Sequence, residues 1–342
     1  MAFLKTFFYT MIDKRILEQA SLKELSKKSV RAEFGVGHIP RACSPFRYPG
    51  GKDKLASFLA IFLNVNKIHN GRFIEPFCGG AGASMSLLLG GYVREVHLND
   101  KNYALFCFWN SLKNDTENLL DRVFEIKPNI NEWHKQREIY KASISKSNNY
   151  NELDFGYSVF FLNRSNRSGV LNAGPIGGLK QTGAYKIDCR YTTETLIKKI
   201  EAIAKLKDQL FIYNEDCIEF LKRFEKNEHY DDDFIYLDPP YVKEGRNIYS
   251  KEFCFDNKMH KELKDYIITH PKRWLISYDD HPLVHELYST QGTRTVEFSY
   301  VMNQAKVGRE LMIADSRLRM PESLFSQEVQ SPLQDKKSVK SA

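Results

Sequence analysis

Short runs of β-forming residues alternate with longer stretches of helical period along most of the chain. Gly71–Ile74, Glu95–Leu98, Gln209–Tyr213, Ile235–Leu237 and Arg273–Tyr278 read as strands. Helices are expected over Lys54–Leu63, where Leu55, Phe58, Leu59 and Phe62 share one side, and over Met85–Leu89, Ile218–Phe224 and Lys258–Ile268. Thr295–Val301 and Arg309–Ala314 alternate well enough to pair antiparallel. The pattern predicts an α/β fold, a Rossmann-like, mostly parallel sheet closed by a C-terminal antiparallel hairpin.

The alternation is interrupted once. From about 106 to 205 the chain reads as mostly helical, with Trp109–Lys127 and Trp133–Lys146 as helices and Tyr157–Leu162 as an apolar segment running into a polar loop. The expected organisation is a catalytic domain in two pieces, 41–105 and 206–318, around an insertion at 106–205. An N-terminal extension at 1–40 carries an amphipathic helix at Ile16–Lys28, with Leu17, Leu22 and Leu25 on its apolar face, and a disordered tail follows at 319–342.

Composition narrows the classes. The chain has 342 residues, 42% of them hydrophobic and 27% charged, enough for a large core. A formal charge of +7 permits a polyanionic partner and equally suits a mildly basic enzyme. Cysteines at 43, 78, 107, 189, 217 and 254 form no C-x-x-C pair, which argues against a zinc site or disulfide framework and fits a reducing cytoplasm. No transmembrane stretch is evident, and Lys5 and Asp13 interrupt the apolar start, which lacks a cleavage site for a signal peptide. His281 and His285, split by Pro282 with no other ligand nearby, do not make a metal site.

Chemistry concentrates where strands end. Ile235-Tyr-Leu-Asp-Pro-Pro-Tyr241 takes a buried strand into a rigid corner bearing a carboxylate and a flat ring. In an open α/β sheet such a corner lies in the ligand crevice. A planar, amino-bearing base suits it: Tyr241 offers a stacking face, while Asp238 and the carbonyl of Pro239 accept hydrogen bonds. Upstream, Glu75-Pro-Phe-Cys-Gly-Gly-Ala-Gly82 is a glycine-rich turn between a strand and a helix. It is neither a Walker A loop nor G-x-G-x-x-G, and by itself it fits a structural turn. Asp100 ends the next strand about 20 residues on, the place of a ribose-binding acid in this topology. Lys52 lies near a helix N-terminus, which suits an anion or an ordinary loop lysine. In the insertion, Asn163-Arg-Ser-Asn-Arg-Ser-Gly169 and Lys180 form a cationic, glycine-rich loop suited either to a nucleic-acid backbone or to plain solvation.

Together these residues resemble the Dam-like, D12-class family of S-adenosylmethionine-dependent DNA adenine-N6 methyltransferases, from about Pro45 to Ala314 and in family order. Pro45-Phe-Arg-Tyr-Pro-Gly-Gly-Lys52 is similar to the family's opening segment, which covers the methionine end of the cofactor, so the resemblance implies cofactor roles for Tyr48 and Lys52. It implies the same for Glu75, Phe77 and Gly79 of the glycine motif, for Asp100 at the ribose and for Asp216 near the adenine. Asp238-Pro239-Pro240-Tyr241 matches the catalytic tetrapeptide, with Asp238 also beside the cofactor. Asn163, Arg164, Asn166, Arg167, Ser168 and Lys180 fall in the stretch similar to the family's DNA-intercalating hairpin. Two positions depart from it: Tyr48 stands where several relatives carry tryptophan, and Arg167 where relatives often place an aromatic.

The resemblance implies methyl transfer to a flipped-out adenine in double-stranded DNA, without a metal, and a setting in restriction-modification or in prokaryotic or phage DNA marking, with a restriction endonuclease as a possible partner. Cytosine-N4 or RNA adenine methylation and a catalytically silent DNA-binding regulator are the alternatives. The acid at 238 favours adenine, since N4 enzymes of this type more often carry serine there.

Overall fold

The computed structural model describes residues 19–21, 27–47, 55–145, 149–226, 232–242, 255–301 and 305–321. The strands are β1 (Gln19–Ser21), β2 (Arg72–Glu75), β3 (Glu95–Asn99), β4 (Leu210–Tyr213), β5 (Phe234–Leu237), β6 (Arg273–Asp279), β7 (Gly292–Val301) and β8 (Ala305–Ala314). They form one sheet in the order β1-β7-β8-β6-β5-β2-β3-β4. From β6 to β4 all neighbours are parallel, whereas β8 runs antiparallel to both β6 and β7.

Strand pleating sorts the apolar side chains to two faces. Phe73, Tyr236 and Leu275 point into one buried cluster; their chain neighbours Ile74, Ile235, Leu237, Trp274 and Ile276 point into the other. The second face is covered by α9 (Cys217–Lys222), α10 (Asn257–Ile267) and α11 (Pro282–Leu287). The first is covered by α2 (Ala56–Val65) and α3 (Gly82–Leu89) and continues without a break into the helices α4 (Tyr103–Asn114), α5 (Thr116–Glu125), α6 (Ile130–Ile144), α7 (Glu152–Ser165) and α8 (Thr193–Ala204). The boundary expected at 105/106 thus falls inside α4, and sheet and helical segment share one core. At the crossing of α4 and α7, a methyl group on Gly156 would lie 2.6 Å from the backbone of Phe108, so only glycine allows this approach.

Several local expectations change. Helix Trp109–Lys127 is two helices, because Asp115 leaves helical geometry at φ −141° and ψ 45°. Tyr157–Leu162 is the middle of α7, whose start is fixed by a capping box between Asn151 and Asp154. Within the range expected as a helix, Ile16–Lys28, the described residues Gln19–Ser21 are instead a strand paired parallel to β7, and helix α1 covers Lys28–Glu33. The open backbone edge of β7 overrides local propensity there; Leu17, Leu22 and Leu25 lie outside the described residues. Chain order continues past 319 as well, since Arg319 and Asn66 exchange hydrogen bonds of 2.7 and 2.9 Å. The tail from 322 lies outside the described residues, none of whose helices is long and apolar enough to cross a membrane.

Candidate active site

Strand order reverses between β2 and β5. From β2 the chain moves outward through β3 to β4, then returns to place β5 on the other side of β2. Loops leaving the two central strands therefore diverge and open a crevice. The loop after β2 is the glycine turn, residues 76–81, and the loop after β5 begins with Asp238–Tyr241.

On the β2 side, Asp100 reaches the glycine turn. Its Oδ2 accepts from the Gly79 amide at 2.9 Å and its Oδ1 from the Asn102 amide at 2.8 Å. Burial pushes its carboxyl up to about 6 against the opposing pull of those two amides. Each oxygen retains a second lone pair for a diol. Glu75 is buried and accepts from the Ser84 hydroxyl. Phe77 is half-buried, its ring edge-on to Phe255 at 5.6 Å. Asp216 caps α9, accepting from the Ile218 amide at 3.0 Å, and lies 3.6 Å from the Lys101 ammonium. Tyr48 and Lys52 lie outside the described residues.

On the β5 side, Ser277 of β6 donates to Asp238 Oδ1 at 2.9 Å and lies 2.9 Å from the Tyr236 hydroxyl. Tyr241 donates to Glu310 Oε1 of β8 at 2.6 Å. Asp279 Oδ1 accepts from the Val242 amide at 3.1 Å. The corner is thus braced at residues 238, 241 and 242 by the two strands beyond it. Pro239 is buried and Pro240 half-buried.

Electrostatics link the two halves. The buried Cys78 thiol is raised by burial and then by the charges of Asp100 and Glu75. The buried Tyr236 phenol is raised by burial and then by Asp238, Glu310 and Glu75. Glu75 is common to both sets, so carboxylates run along the C-terminal edge of the sheet from β3 to β8. Such an edge suits a cationic ligand such as a sulfonium.

A model of the D12 class of N6 adenine-specific DNA methyltransferases matches residues 48–304, spanning both halves of this crevice. The chain belongs to this family. It is an adenine-specific DNA methyltransferase, and the family implies S-adenosylmethionine as the methyl donor. The type II methyltransferase M.MjaIII of Methanocaldococcus jannaschii is 25% identical over 209 residues, covering 58% of this chain and 68% of that protein. The solved structure of PH1948 from Pyrococcus horikoshii, a proposed RNA methyltransferase, aligns over 86% of this chain and 96% of that one, with a TM-score of 0.37 and 10% identity.

In this D12 enzyme the residues expected to meet DNA divide by burial. Asn163 is fully buried: its side chain accepts from the Arg47 amide at 2.6 Å and donates to the carbonyls of Arg47 and Gly169 at 2.8 and 3.0 Å. Asn166 is equally buried, accepting from the Trp133 indole at 2.7 Å and donating to Val170 and Leu171. These two asparagines shape the loop from within. Arg167, Ser168 and Lys180 are exposed, and Arg164 is half-buried. The loop is a 3-10 turn, Arg167–Gly169, closed by a single antiparallel bridge between Asn166 and Pro175.

Four site residues were not singled out by the sequence. Ser277 and Glu310 brace the Asp238–Tyr241 corner, and their signal was a polar residue inside an apolar strand. Buried Asn99 staples three loops, donating to Pro76 and Glu215 carbonyls at 3.0 and 3.1 Å and accepting from the Glu215 amide at 2.9 Å. Trp109 adds a bond from α4 to the Gly79 carbonyl at 3.1 Å.

Proposed function

We propose that the enzyme transfers the methyl group to the N6 amine of an adenine extruded from double-stranded DNA into the crevice between β2 and β5. The observation that carries this reading is the meeting of the Asp238–Tyr241 corner with the glycine turn and Asp100 where strand order reverses.

Bound S-adenosylmethionine supplies an electrophilic methyl group on a positively charged sulfur. Asp100 holds the ribose hydroxyls, the Gly79 turn lets the ligand approach the backbone, Phe77 and Asp216 flank the adenine, and Glu75 favours the cation. Tyr48 and Lys52 complete the cofactor side. Extruding the target base costs a few kcal/mol of stacking and pairing. Tyr241 then stacks on the base, while Asp238 and the Pro239 carbonyl accept its two amine hydrogens. Those bonds localise the nitrogen lone pair along the line of attack, and the surplus proton leaves along the same hydrogen bonds. Positioning and fixed charge supply most of the acceleration.

The helical segment 106–205 serves target recognition, with Arg167, Ser168 and Lys180 on its exposed loop side. A type II relative supports a role in modifying a defined site, beside a restriction endonuclease or as a stand-alone prokaryotic or phage mark in the cytoplasm. The test is mass spectrometry of nucleosides from duplex DNA incubated with enzyme and cofactor. N6-methyladenine, absent with Asp238→Ala, is the expected result; N4-methylcytosine or no methylated nucleoside refutes the assignment.

A further inference from the structure

Three arginines converge outside the crevice, where three chain segments meet. Arg47 lies in the stretch before α2, Arg164 in the last turn of α7, and Arg190 shortly before α8. Arg164 Nε donates to the Arg190 carbonyl at 2.8 Å and its Nη1 to the Pro45 carbonyl at 3.4 Å. Asn163 clasps the Arg47 backbone in both directions, and Gly169 sits so close that a methyl group there would be 2.0 Å from the Arg47 carbonyl oxygen. Phe46 seals the junction, 4.6 Å from Phe108 and 6.2 Å from Phe160 between ring centres. Backbone carbonyls and core packing, not a counter-charge, therefore bring the three arginines together.

No carboxylate among the described residues forms an ion pair with any of them, and the buried Arg47 Nη1 has no hydrogen-bond partner. Burial lowers Arg47 and Arg164, the latter to about 10, and the next cause for each is another arginine of the cluster. Stapling two carbonyls requires one guanidinium. Three like charges brought together, with an unsatisfied buried donor among them, suit an anion as their partner. Arginine's planar fork matches a phosphodiester, the anion a DNA enzyme meets at every nucleotide.

We infer that Arg47, Arg164 and Arg190 together form a receptor for a backbone phosphate of the DNA, placed where the stretch before α2 meets the recognition helices. This rests on the reading of the protein as acting on duplex DNA. Phosphate contact here positions the duplex without reading its sequence.

The test compares wild type, Arg190→Gln and Arg47→Gln by fluorescence anisotropy with duplex DNA across a salt series, with thermal melting and wild-type methyl transfer measured in parallel. Each variant is expected to bind several-fold more weakly irrespective of sequence, with the slope of log K against log salt shallower by about 0.9. The exposed Arg190→Gln should melt no lower than wild type, because a repulsion is removed. In duplexes carrying single neutral methylphosphonates, one position should weaken wild type and leave Arg190→Gln unaffected. Unchanged affinity and slope in both variants, with wild type still methylating DNA, overturns the inference alone. Weaker binding that tracks a lower melting temperature also overturns it, in favour of a purely structural role. A wild-type chain that binds no duplex removes the functional reading and the inference together.

Discussion

Tyr241 donates a 2.6 Å hydrogen bond to Glu310, a fully buried carboxylate on an antiparallel strand. Glu310 stands opposite Asp279 in the sheet register, and Asp279 holds the next amide, Val242. The ring proposed to stack on the base is thus aimed by the strand pair beyond the Asp238–Tyr241 corner. A hydrogen bond to a charged group contributes about 1.5–3 kcal/mol. Glu310→Ala should therefore lower kcat by about tenfold or more, Glu310→Gln should recover part of it, and Tyr241→Phe combined with Glu310→Ala should cost little beyond either change alone. Single-turnover methylation in a double-mutant cycle checks this.

Asp238→Ala should reduce transfer by about a hundredfold or more with an unchanged circular dichroism spectrum, since Asp238 is half-buried at the mouth of the crevice. Ser277→Ala, which removes the hydroxyl that bonds Asp238 and Tyr236 but leaves the Asp238 carboxyl in place, should cost less, and mainly in kcat rather than KM. Tritiated methyl incorporation under saturating DNA reads both.

In its proposed ribose-binding role Asp100, pushed up to about 6 by burial, should make cofactor affinity pH-dependent. Its ionised form is the better acceptor for ribose hydroxyls, so binding should weaken about tenfold between pH 7 and pH 5, and Asp100→Asn should flatten that profile. Stability runs the other way. A raised folded-state pKa adds stability that is fully present below 3.8 and is lost as pH rises through about 6. Calorimetric titration and urea melts across this range separate the two effects.

Asn99→Ala should destabilise the fold by about 3 kcal/mol, because it strands the Pro76 carbonyl and both backbone groups of Glu215. Cofactor affinity should fall with it, as the loops after β2, β3 and β4 lose their common staple. Urea denaturation with an unchanged m-value checks the first expectation.

Asn163→Ala should lower melting temperature and DNA affinity together, since its amide joins the Arg47 backbone to Gly169. Arg167→Ala, on the exposed loop, should weaken DNA binding while leaving the melting temperature within a degree or two. Differential scanning fluorimetry and gel-shift titration distinguish these outcomes.

The strands, most helices and the chemistry-bearing loops were legible in the sequence, because each depends on spacing within a dozen residues. Ile-Tyr-Leu ahead of Asp238 reads as a buried strand, and the glycine-rich stretch after Glu75 as a turn. Gln19–Ser21 escaped because its pairing partner, β7, lies at the far end of the chain. The DNA-side asparagines looked like ligands because an amide's chemistry is the same whether it faces solvent or backbone; burial alone separates Asn163 from Arg167. What the sequence by itself determined was a set of elements and two chemistry-bearing loops, those proposed to hold a cofactor and a base. Tertiary structure decided that they face each other, through the reversal of strand order between β2 and β5. It also brought Ser277 to Asp238 across 39 residues and Glu310 to Tyr241 across 69. Those pairings follow from sheet register, which only the packing of the whole chain can set.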